Sequence, residues 1–401
     1  MEDRNQHKAQ AAIHRRSVLK SIAGFAAASA LNPSLTGLAQ PQPGVKSINP
    51  KWYGFNLLEY FSSDKDWMQH FPYNGDGQFR EDDFRWMRDW GFNWARLPMD
   101  YRLWTDSADL LNIREKDIEP IDRVIKLGEK YGVHINICLC RAPGEWIQDD
   151  AVASVTGIRQ EPEKTSVYTD AHTLDAFVHQ WAYFAERYKG IPSKSLSFNL
   201  VNEPLERNVD HDTGLKNYAR IARTSIEAIR GKDAQRLIVS DGYQVGREPV
   251  AELYDTKVVQ SCHDYNPMEV THPHAPWVRP LSDNFPIPPT WPLKDSKGQV
   301  IADKQTKRAA ASPWAEPAKH GVPIHFGEMG CYNHTPPEVV YAWYNDTLDV
   351  VNELRSGWAL WNFRGSFGIL DSGRAGTKYT DWHGHKLDIN LLNLLKSKMR
   401  G

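Results

Sequence analysis

The sequence predicts an α/β chain closed as a (β/α)8 barrel in a single domain, on three observations. Short apolar runs alternate with amphipathic stretches, so the hydrophobic period switches repeatedly between 2 and 3.6. The alternation occurs eight times, the number a closed parallel barrel requires. A doubly wound open sheet, the alternative, would want a Gly-rich phosphate loop after an early strand, and none is present.

The apolar runs, read as strands, lie at 52–57 ("WYGFNL"), 93–98 ("NWARLP"), 133–140 ("VHINICLC") and 195–202. Four more follow at 236–240 ("RLIVS"), 258–263 ("VVQSCH"), 322–327 ("VPIHFG") and 357–363 ("GWALWNF"). Each ends in polar or Gly/Pro punctuation. Helical patterns fill the intervals at 79–90, 116–131, 171–189, 213–230, 305–320, 336–355 and 385–399, with a compressed one at 247–255. Two connections are long: 141–170 after the third strand and 264–304 after the sixth. The second is Pro-rich and carries Trp277 and Trp291. It follows a strand's C-terminal end, on the face where barrel sites are built, so it is expected to be an ordered cleft wall.

A chain of 401 residues is long for one average domain but ordinary for a TIM-type barrel. Its 24% charged and 41% apolar residues are a globular balance. A formal charge of −2, with no basic run after the first 20 residues, argues against a nucleic-acid partner. No 18 consecutive apolar residues occur to span a membrane. The segment "HRRSVLKSIAGFAAASALNPSLTGLAQ" pairs Arg15-Arg16 with a weakly hydrophobic Ala-rich stretch and small residues at Gly37 and Ala39. That is the layout of a twin-arginine export signal. Residues 1–40 are therefore set aside as a signal peptide, leaving 41–401 as the folded domain, periplasmic or secreted, with no membrane anchor after cleavage and expected to be a monomer.

Cys138, Cys140, Cys262 and Cys331 fit no zinc spacing, and Cys138 and Cys140 are too close on one strand to bridge each other. They read as buried small side chains. His272 and His274 in "THPH" have no third ligand nearby, so no metal is expected. Trp86 and Trp90 read as packing against the barrel. The 15 Trp are more than a core needs. They are either extra packing aromatics or cleft walls whose flat faces suit the C–H faces of sugar rings.

In a barrel, the residues at the C-terminal lips of the strands carry the chemistry. Here these are Asn56, Glu59, Arg96, Cys140, Asn202, Glu203, Asp241, His263, Tyr265, Glu328 and Trp361. Glu203 in "FNLVNEP" and Glu328 in "IHFGEMG" each follow an apolar run, on the fourth and seventh strands. One such acid is explained by turn formation; two on a rim with Arg, Asn, His and Tyr are not. Glycosidic cleavage asks for two carboxyl groups, one to protonate the departing oxygen and one to attack the anomeric carbon or activate water. Arg96 and a Tyr265 hydroxyl near Glu328 would keep it anionic, and Asn202 is placed to hold a sugar 2-hydroxyl.

With "GFNWARLP" (91–98), "NLVNEP" (199–204), "CHDYNP" (262–267), "PIHFGEMG" (323–330) and "ALWNF" (359–363) in this order, the chain resembles glycoside hydrolase family 5, the retaining cellulase family. The resemblance implies Glu203 as acid/base and Glu328 as nucleophile. It implies Arg96, Asn202, His263, Tyr265 and Asn56 as supports, Trp361 as the platform beneath the sugar, and no cofactor. It departs in "CLCRAPGEW", where Cys140 stands in a slot the family usually fills with His. A thiol donates weakly and cannot become cationic. Either Arg141, Glu145 or a water substitutes, or the subsite takes a different sugar. The expected activity is a retaining β-glycosidase on a β-linked polysaccharide or oligosaccharide, of the endoglucanase type. Alternatives are a β-mannanase, an exo-acting β-glucosidase, a transglycosylase and a non-catalytic carbohydrate-binding barrel.

Overall fold

The computed structural model describes residues 49–64, 77–106, 108–146, 163–275, 277–278 and 287–399. The expected signal segment lies outside them, as do 147–162 of the third connection and 276 and 279–286 of the sixth. Eight parallel strands close into a barrel: β1 (Tyr53–Asn56), β2 (Trp94–Asp100), β3 (His134–Arg141), β4 (Leu196–Asn199), β5 (Leu237–Asp241), β6 (Val259–Asp264), β7 (Ile324–Met329) and β8 (Trp358–Leu360). Neighbours follow chain order, and β1 pairs with β8 to close the ring. Every residue of β2, β3, β6 and β7 is buried, because a barrel strand meets the interior on one face and helices on the other.

The outer helices are α1 (Glu81–Trp90), α2 (Glu119–Tyr131), α3 (Ala171–Arg187), α4 (His211–Lys232), α5 (Lys304–Ala311), α6 (Pro337–Glu353) and α7 (Ile389–Lys398). Local chemistry sets their ends. Asp170, Asp210 and Asp388 each accept a backbone N–H of the first turn, and Gly91 and Gly132 close α1 and α2 in the left-handed region. The fifth crossover is the 3₁₀ segment Ala251–Thr256.

Three expectations need correction. The helix expected at 305–320 breaks at Ala311 into two further single turns, each with a proline in its opening turn, Pro313 and Pro317. The helix expected from 385 begins only at Ile389, because His385–Leu387 is a strand. It pairs with Thr380–Trp382 across His383-Gly384, both at positive φ, the two-residue hairpin turn that matches strand twist. Trp291, expected on a cleft wall, packs against the main core, and its Nε1 donates to Asp346 on α6 at 3.0 Å. Most of the tryptophan excess is packing, since Trp94, Trp104, Trp181, Trp314, Trp343 and Trp358 are fully buried.

The N-terminal pole of the barrel is plugged by rings. Trp52 stacks on His134 at 4.7 Å and meets His325 edge-on, while Trp94 lies 4.7 Å from His325. Burial holds both imidazoles neutral, lowering His134 to about 4 and His325 to about 3. Unfolding would expose two groups that protonate near pH 6.5. Their contribution to stability is therefore complete above that pH and is lost as pH falls below it. Denaturant titrations should show a loss of up to about 2 kcal/mol per histidine between pH 6.5 and 5. His134→Gln and His325→Gln should each flatten that slope; an unchanged slope would place the acid sensitivity elsewhere.

Candidate active site

The C-terminal lips of β2 and β4–β7 converge on one buried polar network. Arg96 of β2 is its centre. Its Nε donates to Asn199 Oδ1 (2.7 Å), and Nη1 to Asn56 Oδ1 (3.0 Å) and Glu328 Oε1 (2.5 Å). Nη2 donates to Asn202 Oδ1 (2.9 Å) and Cys138 Sγ (3.1 Å), and lies 3.4 Å from Asp241 Oδ2. A guanidinium only donates, which fixes the orientation of all three amides.

β7 places Glu328 by an irregularity. Its register on β6 shifts between Phe326 and Glu328, setting Glu328 level with His263. Gly327 permits this: a Cβ there would fall 2.4 Å from Ser261 Oγ. The second oxygen of Glu328 accepts from Tyr265 Oη at 2.9 Å. Burial pushes the Glu328 carboxyl up, against the cations His263 and Arg96. Its two oxygens nevertheless each accept from a donor, Arg96 on one and the Tyr265 hydroxyl on the other. Arg96 is permanently charged, and burial beside Glu328 and Glu203 holds the Tyr265 phenol far above its ordinary range. These two donors favour the ionised form against that burial.

Glu203 stands across the cleft, its backbone in the left-handed region at φ 49°. Its N–H donates to Asp241 Oδ2 at 3.1 Å, tying that unusual conformation to the network. Its Oε1 accepts from His263 Nδ1 at 3.0 Å. An oxygen of Glu203, a ring nitrogen of His263 and an oxygen of Glu328 all lie within 4.8 Å of one another. Glu203 is the more open acid, its side chain 14% exposed against 5% for Glu328.

Asp241 supports both sides. Its Oδ1 accepts from Asn199 Nδ2 at 2.9 Å, and Oδ2 lies 3.2 Å from His263 Nε2. Burial opposes its ionisation, but His263 and Arg96 outweigh burial and pull it down to about 2. In turn, Glu328 and Asp241 overcome burial to raise His263 to about 10. The close Glu203–His263–Glu328 trio thus sets two carboxyl groups around one imidazole at the barrel mouth.

The structure thus joins Arg96, Asn202, Glu203, His263, Tyr265 and Glu328 in one network. Asn56, expected among the supports, lies inside the barrel. It is fully buried, donating to Gly327 O and Leu360 O (3.0 and 3.2 Å) while accepting from Arg96, so it orients Arg96 from below. Glu59 turns away from the cleft; burial and the charge of Asp83 hold it at about 8. Trp361 and Cys140 share an apolar cluster with Leu58, Phe61, Trp146 and Trp277 beside the network. Arg141, beside Cys140, pairs with Glu163 at 2.6 Å and lies 4.2 Å over Trp146. Asn199 and Cys138 also belong to the network, although neither is among the rim residues expected from the sequence. Asn199, a polar side chain inside the apolar run "LSFN", was the available signal.

The sequence profile of the cellulase family, glycosyl hydrolase family 5, matches residues 49–366. The chain belongs to glycosyl hydrolase family 5. This family 5 hydrolase is 22% identical over 305 residues to Endoglucanase C of Acetivibrio thermocellus, an overlap of 71% of this chain and 83% of that one. It is 25% identical over 297 residues to Cellodextrinase A of Ruminococcus flavefaciens, covering 72% and 80%. A crystal structure of a glycoside hydrolase superposes with TM-score 0.75 at 34% identity, over 88% of this chain and 100% of that one. Thermotoga maritima Cel5A bound to cellobiose shares the fold at TM-score 0.61 and 19% identity, over 86% and 97%. The chain is a glycoside hydrolase.

Asp241 shares with Glu328 the compensation of two buried cations, so its removal leaves Arg96 and His263 against one buried anion. Asp241→Ala should destabilise the barrel by about 3–5 kcal/mol, measured by denaturant unfolding. NMR should find His263 titrating well below its wild-type value; an unshifted His263 would remove Asp241 from the network.

Proposed function

We propose that this chain hydrolyses β-linked glucan with retention of configuration, by double displacement, with Glu328 as nucleophile and Glu203 as acid/base. The observation that carries the reading is that an oxygen of Glu203 and an oxygen of Glu328 lie within 4.8 Å of each other. Retaining enzymes hold them about 5–5.5 Å apart, whereas inverting enzymes leave about 6.5–9.5 Å for a water.

The division of labour follows from the surroundings. Glu328 is the enclosed acid, its two oxygens gripped by Arg96 and Tyr265, which suits a group that must stay ionised and aimed at one carbon. It attacks the anomeric carbon while Glu203, the open acid, gives its proton to the departing oxygen. The C–O bond to the leaving group breaks as the C–O bond to Glu328 forms. Glu203 then takes a proton from the water that displaces Glu328, restoring both groups. Asn202 has its oxygen committed to Arg96, leaving its amide hydrogens for a sugar hydroxyl. Trp361, half-buried against Phe61 at 5.3 Å, offers a ring face for the sugar's C–H surface.

The names Endoglucanase C and Cellodextrinase A support a glucan as the substrate class. The Arg15-Arg16 segment supports export to the periplasm or beyond.

Glu328→Gln and Glu203→Gln should each lower kcat on a soluble β-glucan by at least about 10³-fold, read by reducing-sugar release. NMR of the first product should show the β anomer; initial α product would refute double displacement. Greater activity of the purified mature chain on mannan than on glucan would overturn the substrate class. The acid limb of kcat/KM reports Glu328 and should lie above the range of a free glutamate, because burial raises that group. Tyr265→Phe removes a hydrogen bond to the carboxylate and should move the limb higher still.

A further inference from the structure

Tyr265 aims its hydroxyl at Glu328, yet it lies beyond the end of β6 and outside the barrel's strand ladder. Something else must fix it. On its C-terminal side, the Asn266 carbonyl accepts from Lys307 Nζ (2.9 Å) and Trp343 Nε1 (3.0 Å). On its N-terminal side, Asp264 Oδ2 lies 2.6 Å from the same Lys307 Nζ. Tyr265's own carbonyl accepts from Thr271 Oγ1 at 2.6 Å.

Lys307 differs from its neighbours on α5. Lys304 and Arg308 face α6, pairing with Asp349 at 2.6 Å and Glu353 at 2.6 Å in partly exposed bridges that join helix to helix. Lys307 turns inward. Its side chain is 2% exposed, and its ammonium lies 4.4 Å over the Trp343 ring. Burying an ammonium is costly, and a well-packed apolar side chain often serves stability as well as a buried ion pair does. A methionine could fill the space beside Trp343. It could not hold the carboxylate and the carbonyl that flank Tyr265.

We propose that Lys307 is a positioning residue for the reaction, acting from the outer helix layer through Asp264 and Asn266 to aim Tyr265 at Glu328. This inference rests on the reading of Glu328 as nucleophile. Lys307 touches neither substrate nor reacting atoms. Its effect on catalysis passes through the Tyr265 hydrogen bond that favours the ionised form of Glu328.

The test is a double-mutant cycle on the purified full chain, with an aryl β-cellobioside as substrate. One arm is Tyr265→Phe. The other is Lys307→Met combined with Asp264→Asn, so that no carboxylate is left buried without its cation. The second arm should keep a thermal midpoint near wild type, lower kcat about 10- to 100-fold with little change in KM, and move the acid limb upward. Adding Tyr265→Phe to it should cost little more, because the interaction is already lost. If the paired variant does not fold, Lys307→Gln replaces it, with the same non-additivity expected. Additive losses, or a wild-type kcat and acid limb in the folded Lys307 variant, would overturn the role of Lys307 while leaving the nucleophile reading intact. A silent Tyr265→Phe would overturn the inference together with the support assigned to Glu328.

Discussion

Arg96 is the constraint around which the rest of the site is arranged. It is 1% exposed at the centre of the barrel mouth and cannot lose its charge. A buried guanidinium must have its five donors satisfied and its charge offset. The donors go to Asn199, Asn56, Glu328, Asn202 and Cys138. The charge is shared among Asp241, Glu328 and the imidazolium His263, giving two buried cations against two buried anions. In a water-poor interior, moving any one of these groups leaves another unpaired. That mutual dependence gives the site its fixed geometry before a sugar enters.

The backbone carries the same constraint. Glu203 holds a left-handed conformation on the Asp241 carboxylate. Gly246, at φ 75°, lies so close to His263 that a Cβ would fall 2.7 Å from the ring, so this turn presses on the imidazole from behind. Gly327 lets β7 shift register and bring Glu328 level with His263. Charge compensation decides which side chains meet, and these positions decide how closely they meet.

Much of the architecture was legible because periodicity reports burial. All eight strands lie where apolar runs end in polar punctuation. The misses have local causes. Strand ends were read too long at 200–202 and 361–363, where polar or apolar composition alone does not reveal that the chain has left the ladder to present Asn202 and Trp361. The 385–399 segment was read as all helix because a positive-φ His-Gly turn leaves little trace in a hydrophobic pattern. At the site, the rim carboxylates and Asn56 stood out as polar residues after apolar runs, but Asn199 and Cys138 lie inside such runs. Their work is to accept from Arg96, a relation between strands that no single segment displays. Lys307 was invisible for the same reason: on a helix, a lysine reads as a solvent face until the structure shows what its ammonium touches.

The central claim is that Glu328 forms a covalent bond to the sugar. An activated 2-deoxy-2-fluoro-β-cellobioside, whose intermediate breaks down slowly, tests it directly through intact-protein and peptide mass spectrometry. The account predicts one glycosyl adduct per chain, mapped to Glu328 and absent from Glu328→Gln. Turnover of this substrate without an adduct, or an adduct mapped to another residue, would contradict it.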